Sequence, residues 1–117
     1  ALAVPDDDSV WVSRFLEGRI LRLAPDTLAP IGQIPLSFGL RAVHHDPVHG
    51  IIWAAAAYSG TLWAIDASDP RRKQALALCG QTRSLASDPR GRLIVSSDCG
   101  IFRIDPSEAL YRSSPRE

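Results

Sequence analysis

"LASDPRGRLIV", Leu85 to Val95, places an apolar run on each side of an Asp-Pro-Arg-Gly turn. Proline at the second position of a turn presets φ, and glycine near its end supplies the positive φ that returns the chain. The two runs therefore read as antiparallel strands joined by a tight connection. The same frame stands 42 residues earlier in "VHHDPVHGIIW", where Asp46 aligns with Asp88, Pro47 with Pro89 and, upstream, Arg41 with Arg83.

Working outward, "SVWVSRFLEGRILRLAPD", "GIIWAAAAYSGTLWAIDASD" and "GRLIVSSDCGIFRIDPSE" align as copies of one unit. Trp11 and Trp53 match at a spacing of 42, as do Gly18 and Gly60, while Gly60 to Gly100 is 40. An apolar run follows each glycine: Ile20 to Leu23, Leu62 to Ile65, and Ile101 to Ile104. A degenerate copy of the first strand, "ALAVP", precedes Trp11. Each unit reads as four short strands; in the central one they are expected at 41–45, 51–57, 61–66 and 74–79. No long segment shows the 3.6-residue apolar period of a helix.

Four strands in a repeat of ~40 residues is the pattern of a β-propeller blade. On these residues the chain resembles the broad propeller superfamily of NHL, YncE-like and SMP-30-like repeats. Their blades carry a "hydrophobic–x–hydrophobic–D-P-x-G" frame such as "LASDPRG". The resemblance implies an all-β chain of four-stranded antiparallel blades, and the G-H…W-D signature of WD40 repeats is missing. The expected organisation is one partial propeller segment, 1–117, with blades at about 1–37, 38–80 and 81–117. Closed propellers hold about four to eight blades. The expected partners are therefore further blades in a longer chain, or identical chains that close the ring. The sequence contains no methionine, which favours a segment or a processed product.

Lys plus Arg and Asp plus Glu balance at 13 each over 117 residues, which leaves no basic footprint for nucleic acid. No apolar run approaches the ~18 residues of a membrane-spanning helix. "ALAVPDDD" has neither the basic nor the apolar region of a signal peptide.

His44, His45, Asp46 and His49 form the most chemical-looking cluster. Adjacent strand residues point to opposite faces, so His44 and His45 do not converge on one ion. Their counterparts in the next repeat are Ala86 and Ser87, so the cluster reads as structural, and no metal or cofactor is expected. In the resembling family the inner strand runs downward from the top face. The loops "SRFLEG", "LSFGL", "AYSG", "LCGQTR" and "SSDCG" then share one rim, and Arg41 and Arg83 begin inner strands beside it. Two guanidiniums there suit a carboxylate or phosphate, or instead bond Asp98 or Glu17. With Phe15 and Tyr58, and with Leu16 and Phe38 beside them, they are the candidate ligand-binding residues. Arg22 and Arg103 share a repeat position and read as a solvated blade edge. The same topology brings Cys79 and Cys99 to the rim of adjacent blades as a candidate disulfide, which would imply an extracytoplasmic compartment.

Two functions compete. The first is a non-catalytic module, a scaffold or a binder acting through the rim loops. The alternative is part of a streptogramin-lyase-like or SMP-30/lactonase-like enzyme completed by other blades. The chain has no Asn for a lactonase-type metal site, and its histidines lie a strand length from the rim glutamate, Glu17. The expectation leans away from catalysis.

Overall fold

The computed structural model describes residues 1–5 and 8–106. It contains β1 (Leu2–Ala3), β2 (Val10–Arg14), β3 (Arg19–Leu23), β4 (Pro30–Pro35), β5 (Leu40–Asp46), β6 (Ile51–Ala56), β7 (Thr61–Asp66), β8 (Lys73–Ala77), β9 (Thr82–Ser87), β10 (Leu93–Ser97) and β11 (Gly100–Ile104). They form three antiparallel sheets, β1-β2-β3-β4, β5-β6-β7-β8 and β9-β10-β11, each strand beside its sequence neighbour. This is the expected all-β architecture. A fourth strand of the last sheet would fall on residues outside those described.

The middle sheet is covered on both faces, and the sequence of β6 follows from that. All six residues of "IIWAAA" are buried, so the run is continuously apolar rather than alternating. Ile52, Ala54 and Ala56 join Trp11, Ile20, Ile34 and Leu40 in a core against the first sheet. Ile51, Trp53 and Ala55 join Leu93 and Val95 in a core against the third. Size alternates across the β6–β7 ladder, with Trp53 opposite Ala64 and Ala54 opposite Trp63. Each face thus receives one indole and one methyl, which lets neighbouring sheets interdigitate without overpacking.

The last strand of the second unit is shorter than expected, ending at Ala77 instead of 79. The Leu78 amide instead donates to the Gly60 carbonyl at 2.7 Å, which turns the chain toward the next sheet. Gly60 has φ +67, and a Cβ there would stand 2.8 Å from the Leu78 oxygen and 2.9 Å from that of Gly80. Gly50 has nearly the same φ, +65, yet a Cβ would meet nothing within 4 Å.

These two glycines separate backbone strain from steric exclusion. Gly50→Ala is expected to cost about 1 kcal/mol, the left-handed penalty alone. Gly60→Ala is expected to cost at least about 2 kcal/mol more in urea denaturation, because backbone atoms cannot yield as a side chain does. Equal costs would show that the β6–β7 loop is not clamped against the segment that follows β8.

Candidate functional site

The rim is built by backbone bonds that stitch successive loops together. Gly39 N donates to Phe15 O at 2.9 Å, and Ala57 N donates to Gly39 O at 2.9 Å. This thread joins the β2–β3, β4–β5 and β6–β7 loops and gathers their aromatic residues. Phe15 and Phe38 meet edge to face at 5.5 Å between centroids, Phe15 and Tyr58 at 5.8 Å, and Phe38 stacks with Tyr58 at 6.3 Å. Phe38 and Tyr58 are 54% and 56% exposed, so this trio is a surface and not a core. The Arg41 guanidinium lies 5.6 Å from the Phe15 centroid and 5.9 Å from that of Tyr58, within cation–π range. Arg41 makes no hydrogen bond or ion pair among the described residues.

Three of the expected site residues, Arg41, Phe15 and Tyr58, are thus brought together. Arg83 is not among them. Its Nε donates to Asp98 Oδ1 at 2.9 Å and its Nη2 lies 2.8 Å from the same oxygen. The difference traces to one loop position: where the second unit offers Tyr58 beside its arginine, the third offers Asp98. Glu17 is engaged by Arg14 and lies 3.5 Å from Arg19, so it does not reach Arg41. Phe38 completes the trio, and its loop position was the available signal.

Cys79 and Cys99 form a disulfide with Cα atoms 5.8 Å apart, closing the second sheet to the β10–β11 turn of the third. Gly80 lies against it, with a Cβ position 3.2 Å from Cys99 Sγ.

At the opposite end, carboxylates hold the turns. Asp46 is buried and accepts from Val48 N at 3.0 Å, His49 N at 3.3 Å and His49 Nδ1 at 2.9 Å. Asp88 repeats the device, accepting from Arg90 N, Arg92 N and Arg92 Nε, each at 2.9 Å. The Arg92 amide leads the contacts that hold its carboxyl below the usual range. His44 and His45 point to opposite sides, as expected. His44 Nε2 lies 2.7 Å from Ser87 Oγ of the third sheet, whereas His45 lines a cleft shared with the first. Among the described residues no cluster of three or more His, Cys, Asp or Glu has the geometry of a metal site.

Arg22 corrects the expected solvated edge. It is half-buried, and its guanidinium lies 5.2 Å from the centroid of the Trp11 ring, on the face turned toward the second sheet. Cross-strand pairing of Trp11 with Arg22 puts them there. Arg103 does stay exposed, 3.6 Å from Asp88.

Burial holds His44 below the ordinary imidazole range; Asp46 opposes this and His45 adds to it. A histidine depressed in the folded state is protonated more readily when unfolded. Its stability contribution is complete above the unfolded value of about 6.5 and is lost as pH falls from there toward the folded value. Melting temperature should fall between about pH 7 and 5, and His44→Gln should flatten that slope; an unchanged slope would place the titration elsewhere. Reduction of the disulfide should cost on the order of 3 kcal/mol for a loop of this length. Cys79→Ser should give the same loss and no further response to reductant.

No protein-family model and no curated protein sequence matches the chain. Solved structures do. The hydrazine synthase of Kuenenia stuttgartiensis superposes with a TM-score of 0.81 at 14% identity, covering 92% of this chain and 32% of that one. The WD40 β-propeller domain of Doa1 gives 0.72 at 22% identity, covering 88% and 34%. A catalytically inactive virginiamycin B lyase from Staphylococcus aureus with quinupristin gives 0.73 at 16%, covering 91% and 37%. The chain spans about a third of the length of these proteins. With the sheet order and the double-sided burial, this identifies the chain as a run of antiparallel β-propeller blades.

Proposed function

We propose that the chain is a non-catalytic binding module whose rim recognises a partner that presents a carboxylate beside apolar surface. The observation that carries this reading is Arg41 over Phe15 and Tyr58, with Phe38 stacked alongside and no protein acceptor among the described residues for the guanidinium. Aromatic and arginine side chains dominate binding hot spots because they bring large area with few rotamers to freeze. Exposed aromatic clusters of this kind are uncommon on a surface with no partner. The engagement of Glu17 by Arg14 and Arg19, and the distance of the histidines from the rim, favour binding over acid–base chemistry.

The module is one part of a larger ring. Beyond Trp11, the far face of the first sheet carries a cross-strand row of Leu2, Val12 and Leu21, with Leu2 61% exposed. On the far side of the third sheet Ile101 is 75% exposed. Further blades in a longer chain would cover both of these outer faces in the way the inner faces are covered here. The blade divisions near 37/38 and 80/81 belong to this reading, as does the NHL-, YncE- or SMP-30-like subtype suggested by the Asp-Pro-to-Gly frame. The disulfide favours an oxidising, extracytoplasmic compartment.

Selection from a random peptide library tests the rim directly. Selected peptides should contain an acidic residue next to an aromatic or aliphatic one. Their NMR perturbations should centre on Phe15, Phe38, Arg41 and Tyr58. Arg41→Ala should weaken them by about tenfold, a loss of 1–2 kcal/mol, with melting temperature unchanged. Peptides mapping away from the rim, or indifferent to Arg41→Ala, would overturn the proposal.

A further inference from the structure

The end opposite the rim holds a second recess, independent of the reading above. It is a cleft of about 600 Å³ between the first and second sheets, lined by Arg22, His45, His49, Asp66 and Ser68 among others. That volume lies within the range of small-molecule sites. Its lining comes from the lower ends of several strands: Arg22 from β3, His45 from β5, His49 from the β5–β6 turn, and Asp66 with Ser68 from the end of β7.

The hydrogen-bonding capacity of the lining is unevenly used. Asp66, the acidic member, has its oxygens occupied: Oδ1 accepts from Ser68 N at 2.9 Å and Ser68 Oγ at 2.8 Å, and Oδ2 from Arg72 Nη1 at 3.2 Å. Asp46, behind His49, is occupied by two amides and the imidazole. Because that carboxylate is an acceptor, His49 Nδ1 carries the proton and Nε2 is the ring's remaining polar atom. The donors are not matched in this way. Arg22 Nε is buried with no hydrogen-bond partner, its guanidinium resting on the Trp11 ring. His45 makes no hydrogen bond among the described residues. The two carboxylates are satisfied, whereas Arg22 Nε and the His45 ring have no partner among the described residues, and His49 Nε2 in this tautomer is an acceptor.

We propose that this cleft binds a small molecule through an oxyanion, a carboxylate or phosphate group, held by Arg22 and by His45, with His49 at its margin. Arg22 supplies the permanent charge and a planar donor set. His45 adds a ring N–H donor from β5. Among the described residues, the charged and titratable groups around it are Arg22 from β3, His49 and Asp46 from its own turn, Asp66 with its partner Arg72, and His44 on the opposite face of the same strand. Among the described residues these charges balance, Arg22 and Arg72 against Asp46 and Asp66, so the unpaired donors and not an excess of positive charge carry the proposal.

The 117-residue chain can be titrated with inorganic phosphate and, separately, with succinate, at constant ionic strength set by chloride. The imidazole signals of His45 and His49 and the Arg22 Nε–H resonance are followed by NMR. One or both anions should move all three sets of signals saturably, and the preferred anion identifies the source. Arg22→Gln should abolish the response; since loss of the Trp11 stack can loosen the fold, His45→Gln provides a second variant, expected to weaken binding at least about threefold with the melting temperature intact. No saturable shift with either anion, or undiminished binding by His45→Gln, would overturn the proposal.

Discussion

Burial of the middle sheet between its two neighbours is the constraint on which the rest depends. A sheet with one wet face can alternate apolar and polar residues, but β6 has no wet face, and its six residues are all buried. With apolar residues required at every position, size is the variable left. The Trp53–Ala64 and Ala54–Trp63 pairs show how it is used, each indole filling space that a methyl leaves open. Trp53 is fully buried, and its indole N–H has no hydrogen-bond partner. Trp11 and Trp63 each donate to a serine, Ser9 and Ser37. The middle indole therefore sits where packing outweighs an unmatched donor, a cost of about 1–3 kcal/mol set against burial of a large ring.

Because the sheets are fixed through their faces, their ends are free to specialise. At one end, bonds such as Gly39 N to Phe15 O and Ala57 N to Gly39 O run across loops of different sheets. They convert three variable loops into one surface that displays Phe15, Phe38, Tyr58 and Arg41. The disulfide does the same between the second and third sheets. At the other end, aspartates close the turns. Hydrogen bonds from Ser68 and Arg72 outweigh burial and hold Asp66 below the usual carboxylate range. These carboxylates secure the turns and so leave the neighbouring arginine and histidine donors unmatched.

The fold was legible in the sequence because the blade's demands are local. A tight turn needs Asp-Pro and Gly whatever surrounds it, and a doubly buried strand must read as an apolar run. The resemblance to propeller blades put Cys79 and Cys99 on one rim as a candidate pair, and the structure joins them. What escaped depended on cross-strand partners. In "RILRL", Arg22 has the spacing of a solvated edge, and only its register opposite Trp11 carries it onto an indole. Arg41 and Arg83 occupy equivalent positions, yet one meets Tyr58 and the other Asp98. The repeat shows where a side chain starts, while the loop across from it decides what it meets.

Native-state hydrogen exchange tests the organising role of the middle sheet most directly. If double-sided burial holds the structure, the amides of Ile52, Ala54 and Leu62 will exchange only through global unfolding. Those of β1 and β11, at the ends of the array, will exchange through smaller local openings. Protection in β6 no greater than in β11 would contradict the account, because the middle sheet would then not be the element on which its neighbours depend.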